Sequence, residues 1–122
     1  MKALLLLGAL NAALAVAMGA FGAHGLKARV DAALLDTWAT ASEYHFFHAL
    51  ALLLVAMLAR QYDSAAMVTA GWVLLAGMLV FSGSLYALVL TGERWLGAVT
   101  PLGGTAMIVG WLMLAWAIWR HA

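Results

Sequence analysis

The sequence predicts an all-α polytopic membrane protein: four transmembrane helices in an up-down bundle, with a short amphipathic helix between the first and second spans. Three observations predict it. Of the 122 residues, 67% are hydrophobic and only 9% are charged, against about 25% charged in a soluble domain. A chain this short has too little interior to hide that much apolar surface from water. The apolar residues gather in four runs, each near the ~20 residues a helix needs to cross ~30 Å of hydrocarbon. The later connections are short, which favours antiparallel neighbours. Strands are disfavoured, because an open sheet edge has no hydrogen-bond partners in lipid and the runs are too long for barrel strands.

The whole chain, 1–122, reads as one transmembrane domain. The first span is placed at about 3–23. With Lys2 ahead of an apolar run and small residues near Ala20 to Ala23, it has the look of a secretory signal. Three more apolar runs follow, so it is expected to stay as a membrane helix. The second span is placed at about 41–59, opened by Thr40 and Glu43 as a T-x-x-E capping box. The third, at about 65–90, is longer than a crossing requires and is expected to tilt or protrude. The fourth, at about 100–119, is expected to open on Thr100 as N-cap and Pro101 at N1, where a missing N–H costs nothing.

Between the first two spans, Leu26, Val30, Leu34 and Trp38 recur every four residues, with Lys27, Arg29, Asp31 and Asp36 mostly elsewhere. This pattern predicts an amphipathic helix over about 26–38, lying on the membrane surface or packed on the end of the bundle. Trp38, Tyr44, Tyr86 and Trp95 fall at one end of the bundle, and Tyr62, Trp116 and Trp119 at the other, as interfacial anchors do.

The chain has no cysteine, which excludes a disulfide framework and a thiolate metal site. Its net charge of +1 is spread thinly, with no basic patch to suggest nucleic acid. Membrane lipids are the expected surroundings. Lys2, Arg60 and Arg120 lie on one side of the membrane, and Lys27, Arg29 and Arg94 on the other. The count is tied, and Lys2 directly before the first span favours cytoplasmic N- and C-termini. Small residues recur at helical spacing, among them Ala15, Gly19 and Ala23, with Gly71, Gly77, Gly83, Gly103, Gly104 and Gly110 in the later spans. They let helices approach closely, either within one bundle or between copies in a homo-oligomer.

Antiparallel topology brings four polar helix ends together. They are "GAFGAHGL" ending span one, "EYHFFH" opening span two, "FSGSLY" near the end of span three and "TPLGG" opening span four. Polar groups at this depth usually face the bundle interior. The candidate binding cluster is therefore His24, Glu43, His45, His48, Ser82, Ser84, Tyr86 and Thr100. The remainder of the spans is nearly featureless, interrupted by Asn11 and Thr69.

Those four ordered segments, with the second read on as "EYHFFHALAL", resemble the family called domain of unknown function 423, which includes small bacterial YgdD- and YwdK-like membrane proteins. The resemblance covers almost the whole chain. It implies a small integral protein of four spans, in the bacterial inner (cell) membrane, and it carries no activity or functional residues.

Three readings of the cluster stand side by side. In the first, the polar groups bond to one another, fix the packing, and the protein is structural or a membrane interaction partner. In the second, they form a small-molecule, lipid or proton-linked binding or transport site, since intramembrane ionisable groups often mark function and histidine titrates near neutral pH. A drug/proton exchanger of the small multidrug type is disfavoured, because it relies on a carboxylate deep in the first span, where this chain has Asn11. In the third, His45 and His48 at i, i+3 join Glu43 or His24 around a metal or haem, though that spacing is common by chance. No catalytic set, cofactor or metal site is assigned from the sequence, and Ser82 and Ser84 sit in no nucleophile motif.

Overall fold

A computed structural model describes all 122 residues. It is helical throughout, with no strand. Helix α1 spans Lys2–Phe21 and runs on through one π-helical turn, Gly22–Leu26; α2 spans Ala32–Gln61, α3 Ala65–Thr91 and α4 Leu96–His121. All four are long and apolar enough to cross a membrane.

The boundaries follow local chemistry. Asp31 opens α2 by accepting a hydrogen bond from the Leu34 N–H at 2.9 Å. No glycine or proline follows before Gln61, so nothing interrupts the helix. This corrects the amphipathic element expected over 26–38. Its first residues finish α1, a turn follows, and the rest form the opening turns of α2. Its apolar side goes to the bundle: Leu26 and Trp38 are buried with Ala41, Tyr86 and Val89. Thr40 and Glu43 therefore lie inside α2 and cap nothing.

Ser64 caps α3 through Met67 N–H at 3.2 Å. Gly92 ends it with φ +76°, a left-handed conformation that suits a residue without Cβ. The start of α4 also departs from expectation. Short-range bonds from Leu96, Gly97 and Ala98 N–H to the carbonyls of Glu93, Arg94 and Trp95 begin the helix one turn early. Thr100 and Pro101 are thus inside α4 and do not open it.

Neighbours in sequence are neighbours in space: α1 packs on α2, α2 on α3 and α3 on α4, while α1 and α4 do not run along each other. The bundle is a central pair, α2 and α3, flanked by the outer helices. Its main core includes Leu4, Leu52, Val55, Met67, Leu74, Met78, Met107 and Leu114. The tightest seam joins α3 to α4. A Cβ on Gly77 would lie 2.7 Å from Met107 N and 2.9 Å from Gly103 O. One on Gly103 would strike the Phe81 backbone. Such backbone approach is how packing energy is gained where lipid is as apolar as the side chains.

Large apolar side chains such as Leu10, Phe47, Met57, Leu90, Leu102, Ile108 and Leu112 face outward, as a lipid surrounding requires. Glu43 and Arg60 are charged and exposed on α2. They are about 17 residues, roughly 26 Å, apart along the helix, close to the ~30 Å of hydrocarbon. Hydrocarbon bounded by these two charges would leave the three turns of α2 before Glu43 at headgroup level; both chain termini lie at the opposite end of the bundle.

Candidate functional site

Two separate hydrogen-bonded assemblies flank α2, each centred on one histidine. His45 is 3% exposed. Its Nε2 lies 2.9 Å from Asn11 Oδ1 on α1, and its Nδ1 lies 2.9 Å from the Tyr86 hydroxyl on α3. Asn11 spends its amide N–H on Leu7 O at 2.9 Å. Its Oδ1 can only accept, so Nε2 of His45 carries the proton. In the neutral ring Nδ1 then accepts, and Tyr86 donates to it. The result is a directed relay, Tyr86 to His45 to Asn11 to Leu7 O, joining three helices.

His48 is oriented the other way. Its Nδ1 lies 2.8 Å from the carbonyl of Tyr44, one turn back. A carbonyl only accepts, so Nδ1 bears the proton. The indole N–H of Trp111 on α4 donates to Nε2 at 3.0 Å. Tyr44 stacks on the His48 ring with centroids 6.1 Å apart and meets Phe81 at 4.9 Å.

The hydroxyls sew the same level of the bundle. Ser82 donates to Ala41 O across α3 and α2 at 2.8 Å. Ser84 and Thr100 join α3 to α4 at 2.6 Å, while each also reaches a carbonyl of its own helix, Phe81 O and Leu96 O. Two hydroxyl hydrogens thus serve three contacts. Trp38 completes the end of the bundle. Its indole N–H donates to Met18 O at 2.6 Å, just before the π-helical turn, and its ring lies 4.7 Å from that of Tyr86.

Of the sequence-predicted cluster, His45 and Tyr86 meet directly, Ser84 and Thr100 meet directly, and Ser82 ties in beside them. His48 belongs to the second assembly. The single converging junction is thereby corrected to two, because positions three apart on a helix point about 60° apart around its axis. His24 and Glu43 are both exposed and lie outside either assembly. Asn11, Trp111 and Trp38 are partners that the sequence reading did not include. Asn11 carried a signal, as one of two polar interruptions in otherwise apolar stretches. Trp111 carried none, since it reads like any lipid-facing aromatic.

Every buried side-chain nitrogen and oxygen has a partner. No three His, Asp or Glu side chains come together in a set able to hold a metal ion, and His45 and His48 each already spend both ring nitrogens. No carboxylate enters either assembly. Space remains beside both. A cavity of about 110 Å³ adjoins Asn11, Met18, His45, Met78 and Tyr86. A cleft of about 300 Å³ adjoins Tyr44, His48, Phe81, Met107 and Trp111. The widest groove, about 500 Å³ between α3 and α4, is almost wholly apolar and lies away from these assemblies.

Comparison with known proteins locates the chain among relatives. A family model described as "Protein of unknown function (DUF423)" matches residues 18–104. The UPF0382 membrane protein YwdK of Bacillus subtilis (strain 168) is 50% identical over 122 residues, covering 99% of each chain. A UPF0382 membrane protein of Staphylococcus aureus (strain bovine RF122 / ET3-1) is 46% identical over 122 residues, 100% of this chain and 99% of its own. One from Staphylococcus saprophyticus is 48% identical over 114 residues, 93% of this chain and 94% of its own. No solved structure matches.

Proposed function

We propose that this chain, which belongs to the DUF423 family of small membrane proteins, serves as a non-enzymatic scaffold and interaction partner within the membrane. One observation carries the reading: every buried side-chain nitrogen and oxygen already has a hydrogen-bond partner within the chain, another side chain or a backbone group. A site evolved to bind a polar ligand normally keeps groups in reserve for it. Here the two histidines act as interhelical ties. His45 joins α2 to α1 and α3, and His48 joins α2 to α4. What the protein offers to others is its outer surface of exposed apolar side chains.

We further place the protein in the cell membrane with both termini cytoplasmic, supported by Lys2 ahead of the first helix. Contact between copies through exposed small residues of α1, such as Ala13, Ala17 and Ala20, belongs to the same reading. Because the chain has no cysteine, single cysteines placed at either terminus report sidedness directly through an impermeant thiol reagent.

The alternative reading, a small-molecule or proton-linked site, has one observation in its favour: the cavity of about 110 Å³ beside His45. Native mass spectrometry of protein released in mild detergent separates the two. The scaffold reading expects no stoichiometric small-molecule adduct that depends on the histidines. An adduct lost in both His45→Leu and His48→Leu overturns it, and its mass identifies the ligand class. The same spectrum gives the subunit count.

A further inference from the structure

A cleft of about 410 Å³ lies between the end of α1 and the opening turns of α2. It is separate from both histidine assemblies and is the most polar of the molecule's clefts. One wall is nearly bare backbone, from Gly19, Gly22 and Ala23. Gly22 has no alternative there, since a Cβ would collide with the Trp38 indole. The other wall is α2, from Leu35 to Ser42, about seven residues or roughly 10 Å of helix. Lys27 and Asp36, of opposite charge, both line the cleft, and both are exposed. Ser42 and Gly19 lie further along, toward the hydrocarbon.

The cleft lies beyond Glu43, toward the end of the bundle, which is headgroup level if Glu43 and Arg60 bound the ~30 Å of hydrocarbon. Its two charges, Lys27 and Asp36, lie at the outer part beside Leu35, and Gly19, Ala39 and Ser42 line the inner part, an order that a phospholipid follows from head to glycerol. The charges are paired in kind as well. A lysine ammonium binds phosphate as a point charge, and a carboxylate accepts from a primary ammonium. An anionic head has a partner for Lys27 and none for Asp36, which repels it. The Trp38 indole N–H is already spent on Met18 O, so its ring serves as a wall and does not compete as a donor.

We infer that the α1–α2 cleft seats the headgroup of one zwitterionic phospholipid carrying a primary ammonium, its phosphate on Lys27 and its amine on Asp36. The inference is independent of the scaffold reading. It concerns a peripheral lipid whose retention depends on Lys27 and Asp36, whereas that reading fails on an adduct that depends on His45 and His48.

The test is native mass spectrometry of the full chain, delipidated in detergent and titrated in parallel with phosphatidylethanolamine and phosphatidylglycerol of matched acyl chains. The expected result is one tightly retained phosphatidylethanolamine per chain, favoured at least tenfold over phosphatidylglycerol. Asp36→Asn keeps the shape and removes the charge, and is expected to abolish that preference. Lys27→Met is expected to weaken both lipids, and Glu43→Gln, outside the cleft, to change nothing. Far-UV circular dichroism confirms that each variant is folded before it is scored. Equal or tighter retention of phosphatidylglycerol by the unaltered protein overturns the inference. So does a preference that survives Asp36→Asn in a folded protein.

Discussion

His45 and His48 stand one turn apart on the same helix and are held in opposite tautomers. Asn11 Oδ1 demands a proton on Nε2 of His45, whereas the Trp111 indole N–H demands a bare Nε2 on His48. Neither demand comes from the histidine itself. Each is imposed by a partner that can play only one role in a hydrogen bond.

The tautomers are directly observable. With the histidines labelled with ¹⁵N, long-range correlation spectra in micelles or nanodiscs are expected to show, beside the rings of the exposed His24 and His121, His45 protonated at Nε2 and His48 at Nδ1. His48→Leu assigns them by removing the Nδ1–H signal. The same tautomer at His45 and His48 would refute the arrangement.

Asn11 supplies the acceptor for a buried N–H, so Asn11→Leu strands His45 Nε2–H in an apolar site. Leaving such a donor unpaired costs about 1–3 kcal/mol. Asn11→Asp retains an acceptor and separates loss of the partner from loss of volume. The expected signature is that adding His45→Leu to Asn11→Leu destabilises far less than His45→Leu does alone. Reversible unfolding in mixed micelles reads all these variants. Additive losses would mean that the two side chains do not depend on each other.

The tie between α2 and α4 is a single bond, from Trp111 to His48. Interhelical hydrogen bonds in membranes average about 0.6 kcal/mol and reach about 1.7. A double-mutant cycle with His48→Leu and Trp111→Phe should return a coupling in that range. The Trp111 emission should also shift in His48→Leu, because the indole N–H loses its acceptor. A coupling near zero would assign the contact to packing alone.

Gly103 and Gly83 form a matched contrast. Gly103 faces the Phe81 backbone, which cannot rotate aside, so Gly103→Ala must part α3 from α4. Overpacking of this kind costs about 1–3 kcal/mol. A Cβ on Gly83 meets nothing within 4 Å, so Gly83→Ala should be neutral or stabilising, by up to about 1 kcal/mol, through helix propensity. Thermal unfolding of the two variants side by side tests the seam, and equal effects would contradict it.

Much of the architecture was legible from apolar run length, because lipid imposes a fixed crossing distance. The third apolar run lies within α3, whose two ends Ser64 and Gly92 punctuate. The start of α2 was misplaced for a physical reason. The apolar run begins only after Glu43, but a helix ends where its backbone bonds end, and Asp31 sets that point. The same error put the opening of α4 at Thr100. In the polar region, topology put His45, Ser82, Ser84, Tyr86 and Thr100 at one level. It did not resolve which way each points, because that depends on the rotation of each helix about its axis. Trp111 was illegible on the same ground: only the rotation of α4 distinguishes it from Trp116 or Trp119.

The packing of each helix on its predecessor bears on how the protein is made. Contacts that join neighbouring segments close short loops, which lowers the entropy lost before any contact is rewarded. As the ribosome delivers α2, α1 is already available to receive it; α3 then finds α2, and α4 finds α3. No helix must wait in the bilayer for a distant mate, so assembly can keep pace with synthesis. The Asn11–His45 and Trp111–His48 bonds close in turn, the first when the second helix arrives and the other when the last one does.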